Sequence, residues 1–441
     1  MTKLAKTPIL VFAACMMFAG MLSASEQGGG SQSEFRTLTV QEAVRLTLSR
    51  SPEVLVAEAQ AARAREALRE SRSSNLPRVF IGSGLAYNNG MPLSIEGAAP
   101  SIFQVSASQP IFSKTNANLI HEAEQSGKAS QLGTESARNE LASRTASIYH
   151  EFFQSGKIQA LLSAKLDAAV RQQKQIETLL EAGKVRPIEA TLARTAVLAA
   201  RQQILVAHEQ AAIAEKELHA LTGLTDTITI QTVEPQIDSP IFELQEEALF
   251  QRALETSPQI LKAQADVRAK EFHIEAERGG YLPKIEIVSQ YALLSRSNNY
   301  EDFFRQFVRH NYLLGLSIRM PIFNGSTGAR VAQSRQEASE ARSKLEGVKS
   351  DLKLNIQRNL GALRIARGAL DLGRSDVDAA RETIKVSETL MEAGRLSEKD
   401  LEESRTQLLQ KELALLDADH ALFQRKLDLL QSTGTIAAAI Q

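Results

Sequence analysis

The chain has 441 residues, no tryptophan, 5 % aromatic residues, and 51 basic against 52 acidic side chains for a net charge of −1. A length that would ordinarily divide into two or three domains is here rich in Ala, Leu, Glu, Arg and Gln, the usage of long helices rather than of a compact globule. The charge balance gives no electrostatic reason for nucleic acid or an anionic lipid surface as a partner.

Lys3 and Lys6 precede an apolar run from Thr7 to Leu22, and Ser23, Ala24 and Ser25 follow it. Residues 1–25 therefore read as an export signal with cleavage near Ala24 or Ser25. An uncleaved anchor is the competing reading, but the run is short for a full span. Cys15, the single cysteine, lies inside this segment. Val11-Phe12-Ala13-Ala14 before it leaves lipid attachment at Cys15 as an alternative. Without Cys15 the chain has no thiol, hence no disulfide framework and no cysteine metal site. Residues 26–37, with Gly28-Gly29-Gly30-Ser31, read as a flexible leader. No later apolar run approaches the roughly 20 residues of a membrane helix, so any further crossing must be made of strands.

From residue 38 the chain reads as two copies of one unit, 38–235 and 236–441. Ser51-Pro52 and Leu76-Pro77 return as Ser257-Pro258 and Leu282-Pro283. Pro110-Ile111-Phe112, Glu181-Ala182-Gly183 and Thr222-Gly223 return 211 positions later as Pro321-Ile322-Phe323, Glu392-Ala393-Gly394 and Thr433-Gly434. Each copy opens with a short helix, near 40–48 or 244–254, then a second helix that stops at Leu-Pro, where proline ends helices. Two strands follow, expected at 78–88 and 102–112 in the first copy and 284–294 and 311–322 in the second. In each, about ten residues alternate apolar and polar. Such strands suit one wet and one lipid face, and equally a half-buried soluble sheet.

A proline-free stretch comes next. From Ala117 to Glu181 it would span about 98 Å as a helix. Gly183 and Gly394 are placed to end the long helices as C-terminal caps, and a return helix runs to Thr-Gly. Leu363, Leu370, Val377, Ile384 and Met391 lie seven apart before the second turn, and Leu401, Leu408, Leu415, Leu422 and Leu429 after it. That spacing predicts coiled-coil packing of the two arms. Four strands cannot close a barrel, and lipid does not tolerate open edges, so membrane strands would require several chains to share one barrel.

The ordered set of elements, with the turns Glu181-Ala182-Gly183-Lys184-Val185 and Glu392-Ala393-Gly394-Arg395-Leu396-Ser397, resembles the TolC outer-membrane efflux family over nearly the whole chain. The resemblance implies a mostly α fold with membrane β-strands. Three chains would share a 12-stranded β-barrel continued by a long α-helical tunnel into the periplasm of a Gram-negative cell. It implies a homotrimer held in outer-membrane lipid, meeting a periplasmic adaptor protein and, through it, an inner-membrane pump of an efflux or type I secretion system. The docking tip would then be Gly183, Lys184, Val185, Gly394, Arg395, Leu396 and Ser397. The family's carboxylate-lined aperture would map to Asp400 and Glu403, which share a helix face, and to Glu189. The competing reading is that these are solvated or capping charges. The family's tyrosine–arginine latch falls on Met391 and Leu396, so closure here would rest on packing or on Lys184, Arg186 and Arg395.

No catalytic residues, cofactor or metal are expected. His121, His150, His208, His219, His273, His310 and His420 are scattered and form no i, i+4 pair. P-loop, dinucleotide and nucleophile-elbow motifs are absent from the sequence. The rival reading is a soluble periplasmic coiled-coil scaffold or adaptor, which usually carries one hairpin between compact β domains.

Overall fold

A computed structural model describes residues 34–84, 101–294 and 308–440. The expected export signal, Cys15, the first part of the leader and residues 85–88 of the first expected strand lie outside the described residues. No described helix is long and apolar enough to cross a membrane.

The elements run β1 (Glu34–Leu38), α1 (Val40–Arg50), α2 (Pro52–Ser73), β2 (Arg78–Gly84), β3 (Ser101–Phe112), α3 (Lys114–Glu181), α4 (Pro187–Thr222) and β4 (Ile228–Thr232). After a 3-10 turn at Pro240–Glu243 come α5 (Glu246–Thr256), α6 (Pro258–Arg278), β5 (Lys284–Leu294), β6 (His310–Arg319), α7 (Gly325–Glu392), α8 (Glu398–Thr433) and a last short helix α9 (Ile436–Ile440). The helix starts follow capping chemistry. Thr39 Oγ1 accepts from Glu42 N, Ser113 Oγ from Asn116 N, and Asn324 Oδ1 from Ser326 N. Ser51 closes α1 and opens α2, with Pro52 at the first helical position, where its missing N–H costs nothing.

The strands β2-β3-β5-β6 form an antiparallel sheet in that order, with β2 and β6 at its edges. Its register joins the four alternations into one surface. Ile81 pairs with Val105, Val105 with Tyr291, and Tyr291 with Tyr312, while Phe103 pairs with Leu293 and Ile287 with Leu316. Directly opposed residues share a face, so one face is a continuous apolar field that also carries Val79, Leu314 and Ile318. Its β2 and β6 members are exposed; Ile81 is 73 % exposed and Leu314 64 %. The other face carries Gln104, Ser106, Ser108, Glu286, Gln290, Ser317 and Arg319.

Two expected boundaries are corrected. The fourth strand ends at Arg319, not 322. Ile322 and Phe323 stand at 100 % and 93 % exposure beyond it, because Pro321 has no N–H to continue the ladder. The leader assignment for 26–37 is wrong at its end, since Glu34–Leu38 is a strand paired in parallel with β4, Phe35 opposite Thr229 and Arg36 opposite Ile230.

Below the sheet, α2 and α6 flank the upper part of α3, and α6 also packs on α7. The main core lies further along the long helices, around the β1–β4 pair. Leu38, Val40, Val44, Tyr149, Leu218, Ile230, Ile241, Leu249, Ile260, Ile356, Leu363, Leu427, Leu429 and Leu430 are all buried there. Tyr149 ties it together. Its hydroxyl lies 2.6 Å from Leu38 O and 2.8 Å from Val233 O, and accepts from Val233 N at 2.8 Å. Burial raises the phenol's pKa, against the opposing pull of the Val233 hydrogen bond, so it stays a neutral donor.

Candidate functional site

Beyond this core the chain forms two helical hairpins, α3–α4 and α7–α8. Their arms match in length, 68 and 36 residues in each. At about 1.5 Å per residue the long arms approach 100 Å. On α7, Leu363, Leu370 and Val377 of the expected heptad are buried, but Ile384 and Met391 are only half-buried, and Ser387 takes the buried position near the tip. On α8, Leu401 and Leu429 are buried, with Leu408, Leu415 and Leu422 half-buried between them.

The two tips share one turn. Gly183 at φ +70° and Gly394 at φ +68° are left-handed. Gly183 N donates to Leu180 O and Lys184 N to Leu179 O; Gly394 N donates to Met391 O and Arg395 N to Leu390 O. This reciprocal pair of bonds satisfies the last carbonyls of the long helix. Lys184, Arg395 and Ser397 are exposed, and Val185, Met391 and Leu396 half-buried. Above each turn sits an ion pair spanning 17 residues. Arg194 Nε meets Glu177 Oε1 at 3.1 Å in the first hairpin, and Arg405 meets Glu388 Oε1 at 3.0 Å in the second. Both partners are offset by 211 between the copies. Arg405 also holds Glu402 at 2.8 Å, and these bonds raise the Arg405 pKa. Exposed pairs of this kind contribute roughly 0.2–1 kcal/mol each. They bridge the two arms at matching positions, in the register that helix packing sets.

Of the three aperture candidates, two have local partners. Asp400 and Glu189 both occupy the third helical position after their turn. Asp400 completes a capping box with Ser397. Ser397 Oγ donates to Asp400 Oδ2 at 2.6 Å and Ser397 N at 3.3 Å, while Asp400 N donates back to Ser397 Oγ. The hydroxyl first, then the backbone N–H, hold this carboxyl below the usual carboxylate range. A depressed carboxyl stabilises above its unfolded value, about 3.9, and that contribution fades only as pH falls through the lower folded value. Glu189 accepts from Arg186 Nε at 3.3 Å. Glu403 is exposed, and no hydrogen bond or ion pair holds it among the described residues.

The hairpins meet along a polar α3–α8 seam that reading the histidines one by one did not reveal. Gln424 bonds Ser147, His150 Nδ1 lies 3.1 Å from His420 Nδ1, and Gln154 donates to Asp419 at 2.8 Å. Near the tip, Gln175 donates to Glu398 at 2.7 Å. His150 and His420 are 270 residues apart, which no local spacing rule can detect. Among the described residues no group of three or more His, Cys, Asp or Glu is arranged to hold a metal ion.

With these features in place, comparison with known proteins is decisive. The model of the family described as "Outer membrane efflux protein" matches residues 43–224 and 249–435, most of the chain. The chain belongs to the outer membrane efflux protein family. It is an outer-membrane protein of that family rather than an adaptor. The outer membrane efflux protein BepC of Brucella suis is 22 % identical over 293 residues, which cover 66 % of this chain and 62 % of BepC. The outer membrane protein TolC of Vibrio cholerae is 19 % identical over 387 residues, 88 % of each chain. Among solved structures, the CmeC outer membrane channel of Campylobacter jejuni superposes with a TM-score of 0.74 at 17 % identity, over 90 % of this chain and 85 % of that one. At that identity the superposition establishes the shared fold.

Proposed function

We propose that this family member is the exit duct of a tripartite efflux or type I secretion system and catalyses no reaction. It passes substrates from a periplasmic adaptor and inner-membrane pump to the exterior. The observation that carries the reading is the four-stranded sheet, with one apolar face and two open edges, set on hairpins approaching 100 Å. Edges of this kind are not stable in lipid unless paired. Antiparallel order lets β6 of one copy pair with β2 of the next, and the family resemblance makes the number of copies three and the strands twelve. Fractionation and native mass measurement in detergent test this. A trimer in the outer membrane is expected, and a monomer in the soluble periplasmic fraction would refute it.

In this reading the tips, Gly183-Lys184-Val185 and Gly394-Arg395-Leu396-Ser397, meet the adaptor. Asp400, Glu403 and Glu189 line the periplasmic mouth, where threefold symmetry turns each into a ring of like charge that attracts cations. The local geometry separates their roles. Asp400 and Glu189 also serve their helix starts, so Glu403 is the cleanest probe of the ring. Glu403→Gln is expected to lower cation preference and divalent block in planar bilayers while the trimer's melting point stays at the wild-type value. Asp400→Asn should do the same but also weaken the start of α8, because a neutral amide oxygen accepts the two Ser397 bonds less strongly than a carboxylate and brings no negative charge to the helix N-terminus. Wild-type selectivity in Glu403→Gln would remove Glu403 from the mouth.

A further inference from the structure

The α3–α8 seam holds a cluster that the duct reading does not use. His150 is 3 % exposed and lies flat on Phe423, ring centroids 4.0 Å apart, with the His420 ring 5.3 Å away and inclined by 28°. The two Nδ1 atoms face each other at 3.1 Å. A contact of that length between imidazole nitrogens accommodates one proton, with one ring donating and the other accepting. A second proton on the same axis would set two N–H groups head to head and force the rings apart.

We propose that His150 and His420 form a proton-operated catch between the two hairpins, closed while the pair shares one proton at Nδ1 and released when the second proton arrives. The proposal stands on contacts within one chain and does not depend on the trimer or on its partners.

The surroundings favour this behaviour. On α8, Asp419 Oδ2 lies 3.6 Å from His150 Nε2 and accepts from Gln154 of α3. A His150 protonated on both nitrogens would therefore donate to His420 on one side and face the carboxylate on the other. Asp419 is held below the usual carboxylate range, first by its contact with the His150 imidazole, so it remains the anion this arrangement needs. Among the described residues, His420 has no equivalent counter-charge in contact. Burial, then the charge on His150, lower its pKa, with Asp417 and Asp419 acting weakly the other way. The remaining charges around the cleft are Lys157 of α3, Glu234 and Asp238 on the strand-to-helix connection, and Lys426 of α8. Lys157 and Glu234 face each other at 3.9 Å and largely offset one another.

The sign follows from linkage. A released His420 takes its proton near pH 6.5, whereas in the closed pair it does so only at lower pH. The released state therefore binds more protons below about 6.5, and release becomes more favourable by up to about tenfold per pH unit through that window. Loss of Asp419's contribution begins only at still lower pH.

Hydrogen–deuterium exchange on the full-length protein in detergent tests the catch. Rates at pH 7.5 and 5.0 are corrected for intrinsic exchange and compared in wild type and His420→Gln. In wild type, segments 141–160 and 412–427 are expected to exchange at least tenfold faster at pH 5.0, while α6 is unchanged. In His420→Gln that selective acceleration should disappear. Its absence in wild type, or its persistence in the variant, overturns the proposal. If the variant fails to assemble, wild type alone decides: a selective acceleration with a midpoint between pH 5 and 6.5 sustains the catch, and a uniform response refutes it.

Discussion

Tyr149→Phe is expected to destabilise the β1–β4 pair by about 2–3 kcal/mol, although it removes a single oxygen. The ring is fully buried and Phe keeps its shape, so packing is preserved. What is lost is the partner of Val233 N–H and of the Leu38 carbonyl, both at 2.6–2.8 Å from the hydroxyl. Leu38 is fully buried, and a buried backbone group left without a partner costs about 1–3 kcal/mol; Val233 is 47 % exposed, so its N–H can turn to water at smaller cost. Exchange of the amides in β1 and β4 should accelerate by about 30- to 150-fold, since 1.4 kcal/mol corresponds to a factor of ten, while α6 amides are unaffected. Unchanged exchange in both strands would mean that the hydroxyl is not what joins them.

The second large effect is expected at the tips. A Cβ on Gly183 or Gly394 would meet no atom within 4 Å, so a substitution there is opposed by backbone conformation alone. At Gly434 the same left-handed turn is also crowded, with a Cβ only 2.7 Å from Pro258 Cδ. A left-handed L-residue costs roughly 1–2 kcal/mol, more when β-branched, whereas Asn tolerates the region. Gly394→Val should therefore open the turn and impair export in cells, measured as drug or metal tolerance, while the protein still reaches the outer membrane. Gly394→Asn should remain near wild type, and Gly183 should behave alike. Equal export by Val and Asn variants at both positions would show that the turn geometry is not what the export partners recognise.

Much of this was legible in the primary structure because the signals are periodic. Strand alternation in 284–294 is a property of neighbouring positions that packing enforces, and each landmark is a short motif that can be matched to its second copy 211 residues on. The β1–β4 pair was not legible. Glu34–Leu38 is five residues beside a polar glycine-rich segment, and its parallel partner lies almost 200 residues away. The fourth strand was expected to run to 322, whereas it ends at Arg319. Pro110 sits in an inner strand beside a bulge, while Pro321 follows an edge strand with nothing to hold the chain in the ladder. At the aperture, the family resemblance pointed to Asp400, Glu403 and Glu189 and the sequence left capping open as the competing reading; the geometry adds the partners, Ser397 for Asp400 and Arg186 for Glu189. The histidine pair has no sequence signature at all, since its two members come from different copies of the unit.

The matched arm lengths make the molecule a ruler with two scales that must agree. Removing seven residues from α3 and seven from α4 would draw one hairpin back by about 10 Å and leave the other at its old reach, so that the two tips no longer matched. The Glu177–Arg194 and Glu388–Arg405 pairs sharpen this constraint, because an unequal change within either hairpin would also slide its arms out of step. A change in reach toward the inner membrane must therefore be made in four helices together. Relatives that bridge a deeper or shallower periplasm are accordingly expected to differ by whole turns added in both copies, with the spacing from each tip glycine to its ion pair left alone.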